Sequence, residues 1–228
     1  MFGLDEKIAG YSDGTAVLLV IAVAILLGLR HATDPDHLAA VSTLISSGRE
    51  RTRRAAARLG IMWGLGHATT LFVFGLPIVL YRAYLPGPVQ EMAETAVGVL
   101  IVALAVWLLL RWHRGMFHPH VHREQRRART AAQAYGIGLV HGMGGSAGVG
   151  ILLLSAIDDK LVAGIALGLF AFFTALSMAL LSTGVGATLG AGRIRGSFHR
   201  VAPALGLSSM AFGVWYALGA LSLTPYYL

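Results

Sequence analysis

Read only for apolar and polar positions, the chain is a series of long runs of Leu, Ile, Val, Ala and Gly parted by short polar stretches. Six runs reach bilayer-crossing length, at about 14–47, 59–81, 94–112, 134–157, 160–188 and 202–222. The first is too long for one straight helix and too short for two full crossings, so it is expected to be interrupted or re-entrant. The parting segments are GRERTRRAAAR, YRAYLPGPVQEMAE, a His- and Arg-rich loop at 111–133, DDK at 158–160, and GRIRGSFHR.

The pattern recurs within the chain. GLRHATDPDHLAAV at 28–41 parallels GLVHGMGGSAGVGI at 138–151 in its GL-x-H start and its small residues, at an offset of 110. Gly98 stands nine residues before Trp107, and Gly206 stands nine before Trp215, at an offset of 108. Three spans per half is an odd number, which sets the halves in opposite orientations. The expected fold is an all-α integral membrane protein: six transmembrane helices as a 3+3 inverted repeat, with an interrupted first helix. Residues 1–112 form the first three-span repeat, 113–133 a cytoplasmic His/Arg-rich loop, and 134–228 the second repeat, together one membrane domain.

Composition agrees with this reading. Of 228 residues, 56% are hydrophobic and 13% charged, and the mean hydropathy is +0.68. There is no cysteine, which excludes disulfides, thiolate metal sites and thiol catalysis. The N-terminal stretch MFGLDEKIAGYSDG lacks the basic start of a secretory signal, so the first apolar run is expected to stay in the mature chain. Charge then sets orientation. Of the 18 Lys and Arg residues, five fall at 49–58, six at 111–129 and three at 193–200. That bias places the basic loops in the cytoplasm and both termini outside, in a plasma (inner) membrane. A separate crossing by 35–47 would instead move the N-terminus inside. The net charge of +7 is thereby explained without nucleic acid.

One polar island stands out. In HATDPDH, residues 31–37, the histidines are six positions apart, about 240° around a straight helix. Pro35 breaks that geometry: it has no N–H for the His31 carbonyl and disfavours helix at Asp34. A second helix capped by Asp34 and begun by Pro35 lets His31, Asp36 and His37 converge. Ionisable residues at membrane depth carry function by default. The bland alternative is a helix start at Asp34–Pro35 and a histidine bridging two helices, with Arg30 as a counter-ion. His67, in WGLGHATTLFVFG at 63–75, is either a structural hydrogen-bonder or a ligand, and the first island favours the ligand. Imidazole with carboxylate and no thiolate suits Ni²⁺, Co²⁺ or Zn²⁺.

HATDPDH also fits the HX4DH signature of the nickel/cobalt transporter (NiCoT) family, and GHATT at 66–70 resembles its second motif. LLGLRHATDPDHLAAVSTL is similar to the six-span urease-accessory-protein-H-like branch of that superfamily. The resemblance implies transition-metal transport, with His31, Asp36, His37 and His67 at the metal-binding positions. Where the family carries an acidic residue and a TATE-like stretch, this chain has HGMGGSAGV, offering His141 and Ser146 but no carboxylate. Its glycines read as an unwound or closely packed helix. With Asp34, these two are accessory candidates. His113, His118, His120 and His122 form a possible cytoplasmic metal tract, or a hydrated loop with incidental histidines; His199 reads as a surface residue.

The expected function is a secondary transporter of a divalent transition-metal cation, Ni²⁺ or Co²⁺ first and Zn²⁺ third, carried as substrate with no prosthetic group. No P-loop is present, so an ion gradient or partner supplies the energy. The expected partners are the ion, the lipid bilayer, and a second copy or a metallochaperone. The alternatives are an exporter of another small solute and an intramembrane metal-dependent enzyme. The enzyme is disfavoured because the chain has no H-E-x-x-H pair.

Overall fold

A computed structural model describes residues 4–46, 53–81, 86–115, 130–144, 151, 155, 157–190 and 192–224. Seven long helices account for most of these: α1 (Leu4–His31), α2 (Pro35–Ser46), α3 (Arg53–Tyr81), α4 (Gly87–His113), α5 (Ala131–His141), α6 (Lys160–Gly190) and α7 (Gly192–Ala220). No strand occurs among the described residues. Four helices, α3, α4, α6 and α7, are long and apolar enough to cross a membrane, and a fifth span follows if α1 and α2 are one bent crossing.

Local chemistry sets the helix starts. Pro35 opens α2, where a missing N–H leaves no bond unmade, and Leu38 N–H donates to the Asp34 carbonyl at 3.0 Å. The axis turns by 47° across this break. At α5, Thr130 and Gln133 form a capping box: Thr130 Oγ1 accepts from Gln133 N–H at 3.1 Å, and Gln133 Oε1 accepts from Thr130 N–H at 3.0 Å. Several hydroxyls at membrane depth are satisfied within their own helices, as at Thr43 Oγ1 to Ala39 O, 2.9 Å, and Thr69 Oγ1 to Leu65 O, 2.8 Å.

α3 packs along α6 and α4 along α7, while α1 lies against α6 and α5 against α3. Small residues allow the close approach. A Cβ on Gly60 would lie 2.5 Å from that of Ser182, and one on Gly75 would lie 3.0 Å from Leu167 Cδ1, so α3 and α6 run antiparallel. Likewise Gly98 meets Ala217 and Gly206 meets Leu109, so α4 and α7 are antiparallel. One buried cluster gathers Leu44, Leu59, Trp63, Leu108, Met178 and Phe198, and a second gathers Leu71, Leu167 and Phe170. Outward-facing Leu18, Leu26, Phe172 and Leu180 leave a greasy exterior that suits lipid.

The helices depart from the apolar runs at their ends. α1, α3, α4 and α7 all begin before their apolar runs, because helix continues past the apolar stretch. The run at 134–157 is represented by α5, whose 11 residues span about 16 Å and cannot cross a bilayer alone. Beyond Gly144 most of that run lies outside the described residues, as do Ser146, His118, His120 and His122.

Candidate functional site

Four helices deliver imidazoles to one place in the interior. His31 is the last residue of α1, Asp36 and His37 lie in the first turn of α2, His67 sits midway along α3, and His141 ends α5. All five are buried, none more than 3% exposed. The Pro35 break puts His31 and His37 rings 4.5 Å apart, where a straight helix would hold them on different faces. α5 is held beside α3 by Thr70 Oγ1, which donates to Leu139 O at 2.9 Å, and by the hydroxyl pair Tyr135 and Thr69 at 3.1 Å. A Cβ on Gly138 would collide with the Trp63 carbonyl oxygen, so only glycine lets the two backbones come this close.

The polar contacts are dense. His31 Nε2 is 3.0 Å from His67 Nε2, so one ring donates and the other accepts. His37 Nδ1 is 3.0 Å from Asp36 Oδ1, and His141 Nε2 is 3.4 Å from Asp36 Oδ2. Behind His31, Nδ1 meets Asp34 Oδ2 at 3.2 Å, and the other oxygen of Asp34 lies 3.5 Å from exposed Arg30. Several nitrogens are left over: His37 Nε2, His67 Nδ1 and His141 Nδ1 lack a hydrogen bond although buried, and His141 Nε2 has only its long contact to Asp36. Potential ligand atoms of His31, His37 and His67 all lie within 4.8 Å of one another, and so do those of Asp36, His37 and His141.

The structure therefore gathers His31, Asp36, His37 and His67, keeps Asp34 at the edge, and brings His141 in as a full neighbour of Asp36 and His37. His113 is apart, exposed at the end of α4. Sequence reasoning passed over Trp63, whose ring packs 5.8 Å from His37 and 5.6 Å from His141, and Phe170, 5.7 Å from His31. The signal for Trp63 was its place one turn before His67; Phe170 had none. Glu94, a carboxylate buried in α4 and bonded to Gln90 at 3.0 Å, was also passed over.

A chain that is helical throughout its described regular elements, with a His/Asp cluster closed in among apolar spans, falls in the class of multi-pass membrane proteins. The chain belongs to the NicO family of high-affinity nickel-transport proteins, whose family model matches residues 17–141. It is 28% identical to the urease accessory protein UreH of a Bacillus species, over 90% of this chain and 92% of that one. It is 26% identical to a nickel/cobalt efflux system of Methanocaldococcus jannaschii, over 73% and 78% of the two chains. The nickel transporter NicT of Mycobacterium tuberculosis is 35% identical over 32% of this chain and 19% of its own. No solved structure matches.

Proposed function

We propose that this chain is a secondary transporter of a divalent transition-metal cation, Ni²⁺ or Co²⁺, bound in passage by His31, Asp36, His37 and His67, with His141 joining them. One observation carries the reading: buried imidazole nitrogens with no hydrogen-bond partner, converging with a carboxylate at membrane depth. An unmet buried polar atom costs about 1–3 kcal/mol. Ligation of a borderline metal by neutral imidazole removes that cost. The spacing of His31 and His67 fits such an ion as well. Two nitrogens each about 2.1 Å from one metal, at a right angle, lie about 3.0 Å apart, which is the distance between their Nε2 atoms. The names of the relatives, nickel and cobalt transporters among them, favour these ions.

The architecture that goes with this reading is the 3+3 inverted repeat in the inner membrane, with the basic helix ends in the cytoplasm. Reciprocal contacts support it. Adding 107 to Gly60 and Gly75 gives 167 and 182, and Gly60 meets Ser182 while Gly75 meets Leu167. Adding 108 to Gly98 and Leu109 gives 206 and 217, and Gly98 meets Ala217 while Gly206 meets Leu109. A twofold relation between halves would produce such exchanged pairs, and antiparallel crossings are what an axis in the membrane plane would give.

The test is a flux assay in proteoliposomes with Ni²⁺, Co²⁺, Zn²⁺ and Mn²⁺. Ni²⁺ and Co²⁺ are expected to cross, and His37→Ala is expected to bring their flux to background. Absence of any metal flux, or undiminished flux in His37→Ala, overturns the proposal.

A further inference from the structure

Resting on the transport reading above, we infer that the site is two stations rather than one, that His37 is common to both, and that a single ion passes between them as the protein turns from one side of the membrane to the other. Among the described residues the ligand atoms fall into two triads, His31/His37/His67 and Asp36/His37/His141, with His37 the only shared member. Donors to one metal at about 2.1 Å cannot be separated by more than about 4.2 Å. The five side chains do not form one such group, so no fixed ion engages all of them. Neutral His37 has one lone pair to give, and two ions at once would require its imidazolate. The stations are therefore filled in turn. Because His37 belongs to both, the ion changes partners without ever being stripped bare in a low-dielectric interior.

The repeat sets the terminal histidines of the two stations, His31 and His141, towards opposite sides. His31 and His141 are equivalent at the 110-residue offset of the GL-x-H segments. Their surroundings exchange in the same way: Gly28 on α1 abuts the Phe170 carbonyl and Gly138 on α5 abuts that of Trp63. Phe170 packs on His31 at 5.7 Å, and Trp63 packs on His141 at 5.6 Å. Each terminal histidine thus has an aromatic wall from the opposite half. A twofold in the membrane plane that exchanges these two assemblies turns one towards each face. The stations differ in chemistry: three neutral imidazoles leave the ion its double charge, whereas Asp36 reduces it to a single one. The carboxylate station is the tighter of the two.

The experiment uses the full chain, with Co²⁺ as the probe for binding in detergent and Ni²⁺ flux in proteoliposomes. Wild type, His141→Ala and His67→Ala are each expected to bind one Co²⁺ per chain. The visible absorption bands of the two variants should differ, reporting three imidazoles in one and the carboxylate set in the other. Both variants should lose flux by about tenfold or more, and His37→Ala should bind no ion. His141→Gln, which keeps a polar side chain, repeats the measurement should the alanine variant fail to fold. Flux in both His141 variants within twofold of wild type overturns the relay and leaves transport standing. Two ions per wild-type chain, or loss of all binding in either single-station variant, also overturns it. Wild-type liposomes that pass no Ni²⁺ overturn the transport reading and the relay with it.

Discussion

Asp34 illustrates how much one residue's part depends on its neighbours. Beside Pro35 it reads as a helix cap, and in the fold its carboxylate lies between His31 Nδ1 and Arg30. An oxygen on the outer nitrogen fixes the tautomer and aim of a ligating ring, and losing such a partner costs on the order of 10–100-fold in metal affinity. Asp34→Ala is expected to weaken Ni²⁺ binding in a competition titration by that amount while leaving one ion per chain. Unchanged affinity would contradict the orienting role. Gly138 makes a sharper case. A Cβ there would collide with the Trp63 carbonyl oxygen and lie 2.9 Å from His67 N, both backbone atoms that cannot swing aside. Gly138→Ala should lower stability by about 1–3 kcal/mol or more. Gly164→Ala, with nothing within 4 Å, should leave it unchanged or raise it by up to about 1 kcal/mol. Thermal unfolding in detergent compares the two. At this scale the sequence was informative where chemistry is local: HATDPDH carries its own bend and its own donors. It was silent on Phe170, because nothing in a run of apolar residues tells which ring will lie against a histidine 139 positions away.

At the scale of the element, the break between α1 and α2 is what makes a site from a segment. A continuous helix would place His31 and His37 about 240° apart, and the 47° turn at Asp34–Pro35 removes that separation. Pro35→Ala restores the N–H and frees Asp34 to become helical. The variant is expected to remain folded, with an unchanged elution volume in detergent, and to lose Co²⁺ binding. Retained binding would mean that packing of α1 on α6 and of α2 on α4, α6 and α7, not the proline, imposes the bend. The break was legible because proline acts on its immediate neighbours. The end of α5 was only half legible. Its glycines suggested an unwound or closely packed stretch, yet the apolar run gave no reason to stop at His141. The close approach of Gly138 and Gly142 to α3 is a property of two helices together, and no single-segment pattern contains it.

For the whole molecule, the open question is which way the halves face, and the helix crossings make it testable. Parallel repeats, related by an axis along the membrane normal, would set α3 and α6 side by side in the same direction. Here both that pair and α4 with α7 are antiparallel. The faint sequence repeat gives the offsets, and the exchanged contacts at those offsets are what the proposed inverted arrangement expects. The same crossings put Arg54, near the start of α3, Arg114, at the end of α4, and Arg200, early in α7, at one end of the molecule. The link is visible where Trp112 Nε1 donates to His199 O at 2.8 Å. Exposed Glu91, in the first turns of α4, is at the other end. Because the chain has no cysteine, single-cysteine variants report position without background. In intact cells, a membrane-impermeant maleimide should label Glu91→Cys, and should reach Arg54→Cys and Arg200→Cys only after permeabilisation. The reverse pattern would turn the molecule over and place the basic ends outside, against the ordinary charge bias. Labelling of Glu91→Cys and Arg200→Cys from the same side would be incompatible with α4 spanning the membrane between them. The two ends of the repeat, and with them the two-sided access that transport demands, would then have no basis.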